Sequence, residues 1–218
     1  MKKTGERSWN CIQLSENSVL TQQQYADISR LVFETDPYIY PAIFGDGGDG
    51  EVKVAEILPA VFESAKDLMF AKNNLFVLYN KEDVVGLILW NNKKMEWDPR
   101  FLLETAEEKG IRLNDKNIEL VRKEYVDSRY VNEHAEYISL INVCVSKESR
   151  GFGAGTYLLK CFIKEHNNES MELAVLSDNT PAIKLYQRFG FKMVQEVDGF
   201  SLDSEKPKCL IMKREALG

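Results

Sequence analysis

The chain has 218 residues, of which 44% are hydrophobic and 28% charged, and its formal net charge at pH 7 is −6. This length and composition predict a soluble globular protein with one domain over residues 1–218, long enough to bury a core without disulfide bonds. The negative net charge argues against general nucleic-acid binding, and no apolar run is long enough to cross a membrane. No apolar stretch follows the charged N-terminus, so we expect no signal peptide.

The cysteines and histidines argue against a metal site. The four cysteines are scattered among apolar residues without a C-x-x-C pair, and the two histidines, His134 and His166, stand far apart. Such cysteines are typical core residues, which favours a reducing, cytoplasmic compartment. We therefore expect no metal cofactor.

The start of the chain predicts one strand and one helix. Trp9–Leu14 has the composition of a strand, and Thr21 is a suitable N-cap for a helix over residues 22–33. Two prolines and two tyrosines then argue against a regular element over residues 34–41.

A glycine-rich run comes next, followed by a helix and two strands. The run GDGGDG at residues 45–50 lacks the spacing of a calcium loop and predicts a flexible turn. An amphipathic helix is predicted over residues 52–70, with Pro59 as a kink or break. Residues 74–79 and 84–90 are predicted as two strands around a short turn.

From residue 91 to residue 133 the composition becomes charged and polar. Short helical patterns cover residues 100–109 and 116–126, separated by Gly110. This segment predicts a pair of short helices between the third and fourth strands. Two interpretations stay open for it: a solvated helical pair without a function, or a lid or wall of a binding site.

The strongest signal lies in residues 137–191. Tyr137–Val145 is rich in β-branched and large apolar residues, which predicts a buried strand. The run RGFGAG at residues 150–155 follows and opens directly into an apolar helical pattern. Glycines permit positive φ and a close approach of the backbone to a ligand, and the N–H groups at a helix N-terminus bind anions. This loop therefore predicts a phosphate or pyrophosphate site.

Spacing selects among the ligands that such a loop could bind. A nucleotide-triphosphate loop needs a Lys-Ser or Lys-Thr pair after its glycines, and none is present. A dinucleotide fingerprint needs G-x-G-x-x-G, whereas this loop is G-x-G-x-G, with Thr156 at the place of the last glycine. Asp178 does stand about where a ribose-binding acid would lie, so a dinucleotide-dependent oxidoreductase stays a less favoured alternative.

The third interpretation is a resemblance that fits every position. The loop, after a strand ending V-x-V, resembles the R/Q-x-x-G-x-G/A signature of the GNAT superfamily, the Gcn5-related N-acetyltransferases, which bind the pyrophosphate of acetyl-CoA. From Asn179 to Phe191 the residues N-x-x-A-x-x-L-Y-x-x-x-G-F are similar to the second motif of that family. The resemblance implies an α/β (α+β) fold with a mixed central sheet and helices on both faces. Relative to that fold, residues 91–133 are a helical insertion between the third and fourth strands, with a lid or wall of the acceptor site as its functional interpretation. Residues 192–197 and 208–213 predict a closing strand pair.

The resemblance also implies a set of acetyl-CoA contacts. The end of the central strand would offer backbone groups to the thioester carbonyl and the pantetheine amides, and the glycine loop would hold the pyrophosphate. Asn179 would contact the pantetheine or cap the last helix. The implied acetyl-CoA-binding residues are Val143, Cys144, Val145, Arg150, Gly151, Phe152, Gly153, Ala154, Gly155, Thr156, Asn179 and Tyr186.

Acetyl transfer also needs an acid and a base. Family tyrosines at the position of Tyr186 protonate the departing thiolate of CoA, although this residue could instead be a core aromatic. The base stays open among Glu34, Asp36 and Glu136, because Ser139 stands where some family members carry a glutamate. We take Tyr186 and Glu136 as the catalytic residues, with a water relay to Glu136.

The acceptor is predicted from composition alone. Glu34, Asp36 and Tyr38 would suit a cationic amine. The predicted function is direct transfer of an acetyl group from acetyl-CoA, through a tetrahedral intermediate, to a primary amine of a small molecule or peptide. A non-catalytic acyl-CoA-binding sensor is the main alternative. Acetyl-CoA and the acceptor are the expected partners, without nucleic acid or membrane, and a homodimer is compatible with this interpretation.

Overall fold

A computed structural model describes residues 8–64, 69–92, 100–127, 137–202, 205 and 207–216. Its strands are β1 (Trp9–Gln13), β2 (Leu75–Asn80), β3 (Asp83–Asn91), β4 (Tyr137–Val145), β5 (Ser170–Leu176), β6 (Lys192–Asp198) and β7 (Lys208–Arg214). Its α-helices are α1 (Gln22–Phe33), α2 (Ile39–Phe44), α3 (Gly47–Glu63), α4 (Arg100–Glu108), α5 (Asp115–Asp127), α6 (Ala154–Glu165) and α7 (Thr180–Arg188).

The strands form one mixed sheet in the order β1-β2-β3-β4-β5-β7-β6. Strands β4 and β5 pair in parallel, and the other neighbours pair antiparallel. Helices α1 to α5 cover one face of the sheet, and α6 and α7 cover the other. The predicted mixed sheet with helices on both faces and a helical insertion between the third and fourth strands is confirmed.

The two faces of the sheet carry separate cores. Along β2, Val77 packs under α1 to α5, whereas Phe76 and Leu78 pack under α6 and α7. Successive side chains of a strand point to opposite faces, so a strand that is covered on both sides must be apolar throughout. The run LFVLYN of β2 follows this rule.

Helix α1 begins at the predicted N-cap. The Thr21 hydroxyl accepts the N–H of Gln24 at 3.2 Å, and the Gln24 side chain accepts the N–H of Thr21 at 2.9 Å. This capping box satisfies two N–H groups that the helix itself leaves without a partner. The apolar face of α1, including Ile28 and Leu31, is fully buried.

Two sequence predictions in the next segment were wrong. Residues 34–41 are not wholly irregular, because α2 begins at Ile39 and includes Pro41. Proline is tolerated in a first helical turn, where its missing N–H would have no intrahelical partner. The glycine-rich run at residues 45–50 is not a free turn either, because α3 begins within it at Gly47.

Gly50 shows why glycine stands in that run. A Cβ at Gly50 would lie 2.0 Å from the carbonyl oxygen of Gly45 and 2.9 Å from Cζ of Phe33. The start of α3 therefore packs against the preceding turn more closely than any side chain allows. Helix α3 then continues through Pro59 to Glu63, rather than ending near residue 70.

The insertion is part of the core. Leu102 and Ala106 of α4 and Ile118 of α5 are buried. Helix α4 packs against α3, and α5 packs against α2. The interpretation of the insertion as a solvated helical pair is therefore wrong.

Gly50→Ala is expected to lower the free energy of unfolding by about 1–3 kcal/mol, because the new methyl group overlaps the Gly45 carbonyl. Urea unfolding measures this loss. Gly48→Ala is the matched control, since a Cβ there meets no atom within 4 Å, and alanine should stabilise the helix by up to about 1 kcal/mol. Equal losses in the two variants would contradict the packing role of Gly50.

Candidate active site

Strands β4 and β5 separate partway along their length. Their parallel pairing runs from Tyr137 opposite Ser170 to Leu140 opposite Leu173. Beyond that point β4 stays paired with β3 as far as Val145, and β5 stays paired with β7 as far as Leu176. The backbone groups on this side of β4 therefore face a cleft, which we call the fork. A fork in a sheet offers a ligand N–H and C=O groups that a neighbouring strand would otherwise use.

A β-bulge lies at the start of the fork. Leu89 of β3 stands opposite Asn142 and Trp90 stands opposite Leu140, so Ile141 is an extra residue in β4. As a result Leu140 and Val143 both pack under α6 and α7, whereas Ile141 packs on the other face. Bulges redirect side chains, and this one changes which side chains of β4 point to each face.

The glycine loop joins the end of β4 to α6. Gly151 and Gly153 have φ of +75° and +88°, a region that favours glycine, and Gly153 is the N-cap of α6. The N–H of Tyr157 bonds to the Gly153 carbonyl at 2.9 Å. The preceding N–H groups, from Ala154 to Thr156, belong to the first turn and have no intrahelical acceptor. The loop therefore ends in a helix N-terminus that is suited to an anion.

Glu34 contacts the cations of this loop. Its side chain is 13% exposed and lies 3.4 Å from Lys147 Nζ and 3.8 Å from the Arg150 guanidinium. Arg150 Nε also donates to the Val145 carbonyl at 2.9 Å. Glu34, expected from the sequence to bind the acceptor, thus lies beside the glycine loop.

A cavity of about 560 Å³ opens from the fork over the face that carries α1 to α5. Strands β4, β5 and β7 form its floor, and α2 forms part of its wall. Leu102 of the insertion and Phe200 complete the apolar part of the wall. This volume is within the range of small-molecule sites. Because Leu102 lines the cavity, the insertion forms part of its wall.

Asp36 and Tyr38 both line this cavity. Asp36 Oδ1 accepts the N–H groups of Tyr38 and Ile39, each at 2.8 Å. Burial raises the pKa of Asp36, and these two hydrogen bonds only partly oppose the shift. Asp36 thus combines a structural contact at the start of α2 with a carboxyl group at the cavity wall.

Tyr186 of α7 lies at the fork, between the core under α6 and α7 and the cavity on the opposite face of the sheet. It is 6% exposed, its ring centroid lies 5.8 Å from that of Phe191, and it lines the cavity. Burial raises the pKa of the Tyr186 phenol, and the nearby Cys144 thiol adds to the shift. The phenol is therefore protonated at neutral pH, which is the state that a proton donor needs. Burial likewise raises the pKa of the Cys144 thiol.

Asn179 begins α7. Its side-chain oxygen accepts the N–H of Ala182 at 3.3 Å, so it is the helix N-cap, with Pro181 in the first turn. Asn179 also lines the cavity. Arg188 Nη2 of α7 donates to Thr156 Oγ1, at the start of α6, at 3.5 Å. Phe152 in the loop is exposed.

One cluster of polar side chains in the cavity was not predicted from the sequence. Ser139 Oγ donates to Glu172 Oε1 at 3.1 Å, and Lys213 Nζ lies 3.3 Å from Glu172 Oε2. All three residues line the cavity. The available signal was Glu172 itself, the one charged residue in the apolar strand β5, SMELAVL. Glu136, predicted as the catalytic base, lies outside the described residues.

Two kinds of feature are absent from the described ranges. No three His, Cys, Asp or Glu side chains there are grouped to hold a metal ion. In the same part of the chain, no helix has both the length and the apolar character that a membrane span requires. The residues that form the fork are neutral or hydrogen-bonded groups suited to an organic ligand.

The chain matches the model of the acetyltransferase (GNAT) family over residues 59–191 and belongs to that family of acyltransferases. It is 34% identical over 70 residues to an N-alpha-acetyltransferase of Sulfurisphaera tokodaii. That match covers 30% of this chain and 42% of the relative. Matches to curated relatives span 26% to 42% of their length. The predicted family is confirmed, which sets aside the dinucleotide-dependent oxidoreductase.

Solved structures agree on the fold. The crystal structure of an acetyltransferase superposes with a TM-score of 0.60 at 17% identity, covering 95% of this chain and all of that one. The NatC complex bound to Gag peptide and CoA superposes with a TM-score of 0.51 at 12% identity, covering 96% of this chain and 99% of that one. At these identities the likeness establishes the fold.

Glu34→Gln is expected to tighten binding of an anionic ligand at the glycine loop, with acetyl-CoA as the probe, because it removes the carboxylate that neutralises Lys147 and Arg150. The pairs are partly exposed, so the gain should be about 0.2–1 kcal/mol and should shrink as salt rises. Calorimetric titration at low and high salt measures it. Glu165→Gln, at the far end of α6, is the matched control. Unchanged or weaker binding by the Glu34 variant would contradict this role.

Proposed function

We propose that this chain transfers the acetyl group of acetyl-CoA directly to a primary amine of a small molecule or peptide. One arrangement carries the proposal: the fork has the anion-binding loop at one end, the cavity at the other and Tyr186 between them. Membership of the GNAT family supports it. An N-alpha-acetyltransferase relative and a structural neighbour bound to peptide and CoA are consistent with an amine acceptor.

The loop and the fork would divide the binding of acetyl-CoA. The N–H groups from Gly151 to Thr156, together with Arg150, would bind the pyrophosphate. Backbone groups of Val143 and Val145 on the fork side of β4 would bind the thioester carbonyl and the pantetheine amides, whereas the backbone of Cys144, between them, faces β3. We assign the Val143 N–H to that carbonyl, where a fixed donor stabilises the oxyanion of the tetrahedral intermediate.

Tyr186 would then supply the proton that the departing thiolate needs. Its burial keeps the phenol protonated, and its position at the fork is next to the strand that would hold the thioester. A positioned acid of this kind typically accelerates a reaction by about 10²- to 10⁴-fold. The base assigned from the sequence, Glu136, stays a prediction.

The acceptor amine would enter the cavity from the side of α2. Asp36 and Tyr38 offer a carboxylate and a hydroxyl to an ammonium group, and the apolar wall favours an acceptor with an apolar part. Glu34, through its contacts with Lys147 and Arg150, acts on the acetyl-CoA side instead.

Thermal stability with acetyl-CoA, and with NAD⁺ as the control, tests the ligand. A ligand present at a hundredfold excess over its Kd should add about 2.7 kcal/mol of stability. Release of free CoA thiol is then followed with spermidine, tyramine and a peptide with a free N-terminus. Binding without thiol release from any of these amines would favour the acyl-CoA sensor, and no acetyl-CoA binding would overturn the proposal.

Tyr186→Phe is expected to lower kcat by about 10²- to 10⁴-fold with an unchanged Kd for acetyl-CoA, because only the phenol proton is lost. Steady-state thiol release and calorimetry measure the two quantities. Tyr157→Phe is the matched control, since its hydroxyl donates to the Trp9 carbonyl outside the cavity. A kcat equal to that of the wild type would remove Tyr186 as the acid.

Asp36→Asn is expected to raise the KM for the amine and to leave the melting temperature at pH 7 equal or higher. Because burial raises the pKa of Asp36, its ionisation destabilises the fold as pH rises above the unfolded value of about 4. Asparagine keeps an oxygen for the two N–H groups without that charge. Asp46→Asn, an exposed change, is the control. A lower melting temperature would contradict the sign of the pKa shift.

A further inference from the structure

Acetyl transfer to an alkyl amine requires that the amine first lose a proton. An alkyl ammonium has a pKa of about 10, so only about one molecule in a thousand is the free amine at pH 7. Only the free amine has the lone pair that attacks a thioester. A carboxylate that touches the bound ammonium would remove this restriction.

The described residues that line the cavity include two carboxylates, Asp36 and Glu172. Oδ1 of Asp36 accepts two backbone N–H groups at the start of α2, on the cavity wall. Glu172 lies on the floor, in β5, and its contacts are to side chains. The two groups therefore approach the cavity from different elements.

Glu172 stands directly before the fork. It pairs with Ser139, one residue before the last parallel pair of Leu140 and Leu173. Ile138 and Leu173 pack under α6 and α7, whereas Glu172 faces the cavity. The carboxylate thus lies at the base of the fork, and Tyr186 lies at the same opening.

The surrounding groups hold Glu172 in one orientation. Ser139 of β4 donates to one carboxylate oxygen. Lys213 Nζ of β7 lies 3.3 Å from the other oxygen and 4.3 Å from the centre of the Tyr137 ring. The other titratable side chains among the described residues that line the cavity are Asp36, Tyr38, Tyr40, Tyr186 and Cys209. The carboxylate is 13% exposed and has about four lone-pair sites, so it retains acceptor capacity for an ammonium.

We propose that Glu172 binds the acceptor ammonium and takes its proton, an inference that rests on the proposed function. The ammonium gives one proton to the Glu172 carboxylate, and the free amine then forms the C–N bond. The C–S bond breaks as the sulfur takes the phenol proton of Tyr186, and the phenolate recovers a proton from the nitrogen. Glu172 returns its proton to water, so one proton is released for each amide and free thiol formed.

The test compares Glu172→Gln with the wild-type chain, using the better acceptor of the two alkyl amines, spermidine and tyramine. At pH 7 the variant should lose about 10²- to 10⁴-fold in kcat/KM with an unchanged Kd for acetyl-CoA. Between about pH 7 and about pH 9 that loss should shrink, because the free-amine fraction rises about tenfold per pH unit. Glu196→Gln, an exposed change on β6, is the matched control.

Three results separate the outcomes. A loss that is constant with pH would show a purely structural role and overturn the proposal, as would activity equal to the wild type. Acetyl-CoA binding without turnover by the wild type would instead overturn the proposed function and, with it, this inference. Glu172→Asp keeps a carboxylate, so it should retain part of the activity with the wild-type pH dependence. If Glu172→Gln melts below the assay temperature, Glu172→Asp is tested in its place.

Discussion

The separation of β4 from β5 is the constraint on which the rest of this structure depends. A continuous sheet satisfies its backbone groups internally, and a fork leaves part of one strand edge available to a ligand. The bulge at Ile141, the positive-φ glycines after Val145 and the N-terminus of α6 all lie within a few residues of that edge. One interruption in the pairing thus places the glycine loop, the proposed acid Tyr186 and the cavity around a single opening.

Local sequence signals predicted the structure of the glycine loop, the half of the site that we propose to bind an anion. Glycines at Gly151 and Gly153 carry information within a few residues, because positive φ and a helix N-terminus are short-range properties. Asn179, followed by Pro181, likewise specifies the start of a helix from its own chemistry. These features, together with the apolar run of β4, were sufficient for the family and for the order of most elements.

The acceptor half was harder to predict because it depends on contacts between distant residues. Glu172 reaches the cavity only through its pairing with β4 and β7, and Glu34 lies near Lys147 through the packing of α1 against the sheet. The glycine run before α3 was misjudged for a related reason. Flexibility and close packing both favour glycine, and only the position of Gly45 beside Gly50 distinguishes them.

Leu102 belongs both to the core and to the cavity wall, which couples the shape of the cavity to the stability of the fold. This side chain is 2% exposed, belongs to the core beneath α1 to α5 and also lines the cavity. The insertion is therefore separate from the glycine loop, but it contributes to the stability of the fold. A substitution in α4 that reshapes the cavity also changes the packed volume of the core, so its effect on ligand choice is coupled to its cost in stability and to the residues packed against it.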